Sequence, residues 1–231
     1  MASIKYLGHA SFEVTLEGLD GKKKRILIDP WITNPLSPYR NVEEYLEKIN
    51  KVDYIIVTHD HGDHLGEALD IAKKTNAKII AIYDLAIELE KKNVTTIGAN
   101  IGGKLDVPDI FVVLTPALHS SQHGNPTGVV VGGNDIKVYH AGDTGLFAEM
   151  TYIGELYKPD IAMLPIGGHF TMGIREAAKA VELLKPKYVV PMHYGTFDVI
   201  KADPNEFAKL VRERVPETQV IILKPGEYLE F

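Results

Sequence analysis

The chain has no cysteine. That absence excludes a disulfide framework, thiol catalysis and every metal site built on thiolate. Long apolar runs are also missing: no stretch approaches the ~18 consecutive apolar residues of a membrane helix. The start, Met1-Ala2-Ser3-Ile4-Lys5, has neither the basic head nor the apolar run of a secretory signal. A cytoplasmic location and no membrane partner are therefore expected. Basic charge is scarce. Lys and Arg number 25 against 31 Asp and Glu, for a net charge of −6. This argues against a nucleic-acid partner, because a phosphate-binding surface needs clustered Lys and Arg. The one basic run, Lys22 to Arg25, lies between Gly18-Leu19-Asp20-Gly21 and the apolar Ile26-Leu27-Ile28. It reads as the solvated tip of a hairpin. Glutamine occurs only twice, which together with the missing cysteine fits the avoidance of thermolabile side chains in thermophiles.

The rest of the composition is that of a globular chain, with 45% hydrophobic and 24% charged residues. At 231 residues it can bury close to ~70% of the surface its unfolded form exposes. No linker, low-complexity segment or short repeat interrupts it, so one domain spanning residues 1–231 is expected.

Periodicity sketches the elements. Ile4 to Leu7, Phe12 to Leu16 and Arg25 to Ile28 are short apolar or alternating runs and read as strands. Val42, Tyr45, Leu46 and Ile49 fall on one helical face, predicting a helix over Asn41 to Ile49. Tyr54 to Val57 reads as a strand buried on both faces. Helix, strand and helix are then predicted over Leu65 to Thr75, Lys78 to Ile82 and Leu85 to Lys92. Strands return at Ile110 to Leu114, Gly128 to Val131 and Ile136 to Tyr139, the last two joined by Gly132-Gly133-Asn134-Asp135 as a tight hairpin. The last third alternates again. Helices are predicted over Leu146 to Tyr157 and Ile174 to Leu184, and another starts at Asp203-Pro204. Strands are predicted at Ile161 to Leu164, Tyr188 to Val190, Val220 to Leu223 and Tyr228 to Phe231. Strand-rich then α/β order occurs in both halves, which permits a duplicated two-layer sandwich.

Chemistry concentrates in four places: His59-x-His61-x-Asp63-His64, then His119, Asp143 and His193. Each follows a strand-like run closely, and strand ends opening into loops are where a rigid scaffold places functional groups. Imidazole and carboxylate suit Zn²⁺, Mn²⁺ or Fe²⁺ when no thiolate is available. His59 and His61 can point together from an extended loop. Asp63 and His64 come a turn later and can face a second ion. Asp143 is a candidate to bridge two ions, since a carboxylate has two oxygens. Other readings compete for the single residues: Asp143 as a helix cap, His119 and His193 as loop residues, His140 as surface or packing.

Taken together, His-x-His-x-Asp-His, a single His, Gly142-Asp143-Thr144 and a late His resemble the five-motif pattern of the metallo-β-lactamase superfamily. Leu7-Gly8-His9-Ala10-Ser11-Phe12, Asp29-Pro30, Pro165 to Met172 and Pro191 to Thr196 look like its poorly characterised metal-dependent hydrolase branch, related to the ascorbate-6-phosphate lactonases. The resemblance implies an α/β fold, a four-layer αββα sandwich with mixed sheets and metals at one edge. It implies His59, His61 and His119 on one ion, Asp63, His64 and His193 on the other, and Asp143 between them. It further implies two divalent metal ions, zinc first, with manganese, iron or nickel as alternatives. The expected activity is hydrolysis of an ester, lactone or phosphoester in a small-molecule substrate, by hydroxide generated at the metal pair. The alternatives are a metal-dependent phosphodiesterase or nuclease and, in another class, a metal-binding scaffold without turnover.

Departures from other branches sharpen this expectation. The commonest true β-lactamases use a Cys ligand, and this chain has none. The flavin-linked di-iron oxidoreductases carry Glu where this chain has His61, together with a flavodoxin domain. Three residues are expected in catalysis. Asp63 orients the nucleophile, His9 orients a substrate oxygen or a metal ligand, and His169 protonates the leaving group or binds an anionic substituent. A packed loop histidine is the competing reading for His9 and His169. Asp29 either bonds a ligating His from behind or forms a turn at a strand end. Assembly into a homo-oligomer is left open.

Overall fold

The computed structural model describes residues 2–49 and 51–231. In the first half, β1 (Ser3–Gly8), β2 (Ser11–Glu17) and β3 (Lys23–Ile28) form an antiparallel meander. There follow α1 (Val42–Leu46), β4 (Tyr54–Ile56), α2 (Gly62–Leu65), α3 (Ala68–Thr75), β5 (Lys78–Ile82), α4 (Tyr83–Glu90) and β6 (Thr96–Ala99). Strands β3 to β6 run parallel, as crossover helices between them require. The second half begins with a second antiparallel meander, β7 (Phe111–Pro116), β8 (Thr127–Gly132) and β9 (Lys137–His140). It continues α5 (Met150–Tyr157), β10 (Ile161–Pro165), α6 (Ile174–Leu184), β11 (Tyr188–Met192), α7 (Pro204–Arg214) and β12 (Gln219–Val220). Strands β9 to β12 are again parallel. The last strand, β13 (Tyr228–Glu230), returns to pair with β1. One half thus repeats the order of the other, and, with β13 added to the edge of the first, they form two mixed sheets: β13-β1-β2-β3-β4-β5-β6 and β12-β11-β10-β9-β8-β7.

Alternation along the strands explains the layers. Val129 and Val131 join the cluster shared with Ile4, Phe12 and Ile55 of the first sheet, whereas Val130 joins the other cluster with Met150, Val181 and Phe207. Side chains two apart share a face, so the second sheet buries one face on the first sheet and the other on α5, α6 and α7. The first sheet is covered on its outer face by α1, α3 and α4, through Tyr45, Ile71 and Leu89. Helices therefore flank two stacked mixed sheets, the expected αββα sandwich. Among the described residues no helix is long and apolar enough to cross a membrane.

Several predicted bounds move for physical reasons. The helix expected over Leu65 to Thr75 is broken at Gly66, which adopts φ +46. A Cβ there would lie 2.5 Å from the Pro30 carbonyl oxygen. The Glu67 amide donates to that same oxygen at 2.9 Å, so the chain leaves helical geometry to meet Pro30. The helix expected from Leu146 begins only at Met150. Strand β6, with no marked apolar pattern, was not expected. The basic run is only half solvated. Lys22 and Lys23 are exposed, but Lys24 is buried between Asp20 and Asp109, and Arg25 donates to Glu13 at 2.8 Å. Period-two alternation turns these side chains to different faces, which a reading of charge alone misses.

Candidate metal centre

The functional side chains gather at the C-terminal ends of strands. His9 follows β1, Asp29 β3, His59 β4, His119 β7, Asp143 β9 and His193 β11, while α2 carries Asp63 and His64. Opposite edges of the sandwich cannot both receive these ends, so the topology brings the groups together. Atoms able to ligate a metal lie within 4.8 Å of one another in three overlapping groups: His59, His61 and His119; His59, His64 and Asp143; and His9, Asp63, His64 and His193. The two sheets' loops are joined directly here, since the His193 amide donates to the His9 carbonyl at 2.8 Å.

Hydrogen bonds behind the site settle which nitrogens face it. His64 donates Nδ1–H to Asp29 Oδ2 at 2.7 Å. The Thr58 hydroxyl donates to the same Asp29 oxygen at 2.6 Å and accepts from His59 Nδ1 at 3.0 Å. Both imidazoles therefore keep their protons on Nδ1 and turn Nε2 lone pairs inward, the arrangement metal ligation needs. Of the two readings of Asp29, the structure selects the bond to a histidine of the cluster. His9 donates Nε2–H to Asp63 Oδ2 at 3.0 Å and accepts from the Thr196 hydroxyl at 2.9 Å. It is buried behind Asp63, so its geometry is that of a residue orienting a candidate ligand. Asp60, inside the motif but outside the expected ligand set, serves the loop after β7. It accepts from the Gln122 amide, the Ser121 hydroxyl and both the amide and Nδ1 of His123, which fixes the segment carrying His119.

The donor set fits a cation on two observations. First, buried polar atoms converge without hydrogen-bond partners: His64 Nε2, Asp143 Oδ1 and both ring nitrogens of His193. Native proteins rarely leave such atoms unpaired. His61 Nδ1 also stands 2.9 Å from His59 Nε2 and 3.3 Å from His119 Nε2. Three ring nitrogens this close can share one cation as ligands. Second, carboxylates and imidazoles are buried side by side and shift one another. Burial works against charge on His64, but Asp143 and Asp29 on either side outweigh burial and raise its pKa well above the ordinary value. Burial works to raise Asp143, yet His64 and His193 hold it well below the carboxylate range. Burial, reinforced by His64, lowers His59 to about 2 and keeps it neutral. Asp143 touches both histidine groups: its Oδ2 is 3.1 Å from His193 Nε2 and 3.4 Å from His119 Nε2, and its Oδ1 is 3.2 Å from His64 Nε2.

Backbone strain concentrates at the same place. Asn76, Lys158 and Lys185 have positive φ because they end helices. His9 (φ 56), Asp29 (φ 47) and His193 (φ 54) end no helix and lie at the site. Each such conformation costs ~1–3 kcal/mol and persists only where surrounding structure over-determines it.

A cavity of about 320 Å³ opens over the cluster, lined by His61, Asp63, His119, Ser120, Asp143, Phe170, His193 and Phe197. His169 is not among them. It is exposed, at φ 59, with its ring edge-on to Phe170 at 4.4 Å. Consecutive left-handed residues, Gly168 (φ 68) and His169, turn the loop so that Phe170 lines the wall in its place. His140 is packed rather than exposed, donating from Nε2 to the Ala10 carbonyl at 2.8 Å and accepting from the Gly142 amide at 3.0 Å. Phe170, Phe197 and Ser120 were not singled out from the sequence, because lone residues in irregular loops have no period to betray them.

Comparisons with known proteins place the chain in a family. A beta-lactamase superfamily domain model matches residues 24–194. A metal-dependent hydrolase of the UPF0173 family from Staphylothermus marinus is 64% identical over 227 residues, 98% of either chain. Another, from Thermofilum pendens, is 60% identical over the full length of both. The chain belongs to this family. Among solved structures, Igni18, a metallo hydrolase from Ignicoccus hospitalis, superposes with a TM-score of 0.91 at 48% identity, covering 100% of this chain and 99% of its own. YhfI from Bacillus subtilis, a metallo-beta-lactamase fold protein, shares the fold at TM-score 0.74 and 12% identity, each chain fully covered. The protein is thus a metal-dependent hydrolase of the beta-lactamase superfamily.

Proposed function

We propose that the chain acts as one hydrolase domain with two divalent metal ions, cleaving an ester, lactone or phosphoester of a small molecule in the cytoplasm. The observation that carries this reading is the convergence of unpaired buried nitrogens and carboxylate oxygens from both sheets on one cavity. His59, His61 and His119 would hold one ion and Asp63, His64 and His193 the other, with Asp143, in contact with histidines of both groups, between them. Zinc suits such N and O donors, and manganese, iron or nickel suit them too. Ions bound there would supply Lewis-acid polarisation of the scissile oxygen and a water of lowered pKa.

The chain's own residues do the rest. Asp29 and Thr58 lock the tautomers of His64 and His59. His9 pins Asp63 Oδ2, leaving Oδ1 to orient an attacking water and accept its proton. Burial favours the protonated Asp63, but the His9 hydrogen bond and the His64 charge overcome it and keep the group ionised, as a proton acceptor must be. His169, exposed as it is, stands as a rim residue able to meet a leaving group only outside the cavity.

The test is metal analysis joined to a panel of chromogenic esters, lactones and phosphodiesters. Two ions per chain, turnover abolished by a chelator and restored by metal are expected. His61→Ala should lose metal and activity together. Turnover that survives complete metal removal would overturn the reading. Two bound ions with no turnover on any substrate would favour a scaffold.

A further inference from the structure

The cavity divides into a polar floor and an apolar wall. Its floor is His61, Asp63, His119, Asp143 and His193, and its wall is Phe170 and Phe197 with the hydroxyl of Ser120. The two phenyl rings are 53% and 41% exposed, a large apolar surface to leave in water at a site mouth. Neither is loose. Phe197 stacks on Trp31 at 6.1 Å and meets His9 edge-on at 5.7 Å, while Phe170 rests on His169. They come from different loops, after β10 and β11, and face one cavity. No Lys or Arg lines it among the described residues, so away from the floor where the ions would sit nothing on the wall pairs with an anionic substituent, and the chain carries net charge −6.

We infer that the substrate is a neutral carboxylic ester or lactone bearing an aromatic or bulky apolar group, which packs between Phe170 and Phe197. The cavity's ~320 Å³ holds one ring beside the scissile bond, at the small end of ligand pockets. The inference takes the identity of the reacting centre from the hydrolase reading, but the chemistry of the wall stands apart from it. Ser120 is the one neutral polar group on that wall and would orient the substrate's carbonyl side.

Two measurements test it, one without turnover. Trp31 is the only tryptophan in the chain, and it stacks on Phe197, so its emission reports on the wall. Titrating the metal-loaded protein with N-benzylacetamide should give a saturable change in that emission. Glycerol 3-phosphate should give none, and Phe197→Ala should abolish the response. The second measurement compares 4-nitrophenyl benzoate with 4-nitrophenyl monosuccinate and bis(4-nitrophenyl) phosphate. The benzoate should lead in kcat/KM by about ten-fold or more, the scale on which apolar pockets discriminate. Phe170→Ala combined with Phe197→Ala should erase that lead, mainly through KM, with metal content unchanged. Both rings are half-exposed, so their removal does not open the core. Equal binding of the phosphate, or a benzoate lead that survives the double substitution, would overturn the inference. If no compound is turned over while N-benzylacetamide still binds through Phe197, the apolar wall stands and the ester, lactone or phosphoester reading falls.

Discussion

Asp29 shows how much one buried carboxylate decides at this site. One oxygen receives the His64 ring and the Thr58 hydroxyl, and the other receives the Thr58 amide at 2.8 Å. It touches no substrate, yet it sets the tautomer of His64 directly and of His59 through Thr58. Asp29→Ala should therefore lower metal affinity by roughly 10–100-fold, the usual effect of losing such a partner. Titration calorimetry with Zn²⁺ checks this, and unchanged affinity would remove Asp29 from the role. His9 is the same kind of residue for Asp63. Its pKa is lowered to about 4, chiefly by burial, with the Asp63 hydrogen bond opposing, so it meets the carboxylate as a neutral donor.

At the scale of the element, the turn between α2 and α3 is the sensitive joint. Asp63 and His64 ride on a single helical turn whose exit is Gly66. The Glu67 carboxylate then accepts from the Ile32 amide and the Thr33 hydroxyl, tying the joint to the loop after β3 that holds Asp29. Gly66→Ala forces a Cβ onto the Pro30 carbonyl at positive φ, so a loss of ~1–3 kcal/mol is expected. Metal affinity should fall with it, because His64 sits two residues away. Asp203→Ala is the contrast. It removes the N-cap of α7, whose carboxylate accepts from the Asn205 amide at 2.8 Å, and should cost ~1 kcal/mol with metal affinity intact. Thermal unfolding and metal titration of both variants separate the two; a Gly66→Ala protein as stable as the wild type would refute the account of the joint.

For the whole molecule, the two duplicated halves meet at both ends of the strands. At the site, the proposed ligands come from both halves: Asp63 and His64 from the first, Asp143 and His193 from the second. Ions bound there would clamp the sheets together, so stripping them should lower stability. The loss approaches ~2.7 kcal/mol where free metal stood at about 100 times Kd, read as a fall in Tm on adding chelator. A Tm indifferent to chelator would mean that the halves hold without ions. At the opposite end, Asp109 of the second half meets Lys24 and accepts from the Tyr54 hydroxyl of the first at 2.6 Å. Burial tends to raise Asp109, but Lys24 and Tyr54 prevail and hold its pKa below the ordinary carboxylate value. A depressed folded pKa means that the contribution is complete above the unfolded value of ~3.9 and is lost as pH falls through it toward the folded pKa. The stability advantage of wild type over Asp109→Asn should be flat near neutrality and shrink below about pH 4 in denaturant titrations. An advantage that persists undiminished to about pH 3 would refute the pairing.

The sequence by itself determined the metal chemistry and the order of elements. Three His and two Asp within the span His59 to His64 have no bland use, and apolar runs with period two or near 3.6 mark strands and helices whatever their partners. Its strand-rich then α/β order in both halves also permitted the two-layer sandwich that the structure shows. The tertiary structure decided everything that depends on residues far apart in the chain. It broke the Leu65 to Thr75 helix because Pro30 approaches Gly66, and it buried Lys24 because Asp109 meets it 85 positions later. It chose between the two readings of Asp29 and turned His169 outward. It also raised Phe170 and Phe197 into a wall over the site. These are packing facts: a loop side chain's direction is set by its own φ, ψ and its neighbours in space, and neither is written in local periodicity.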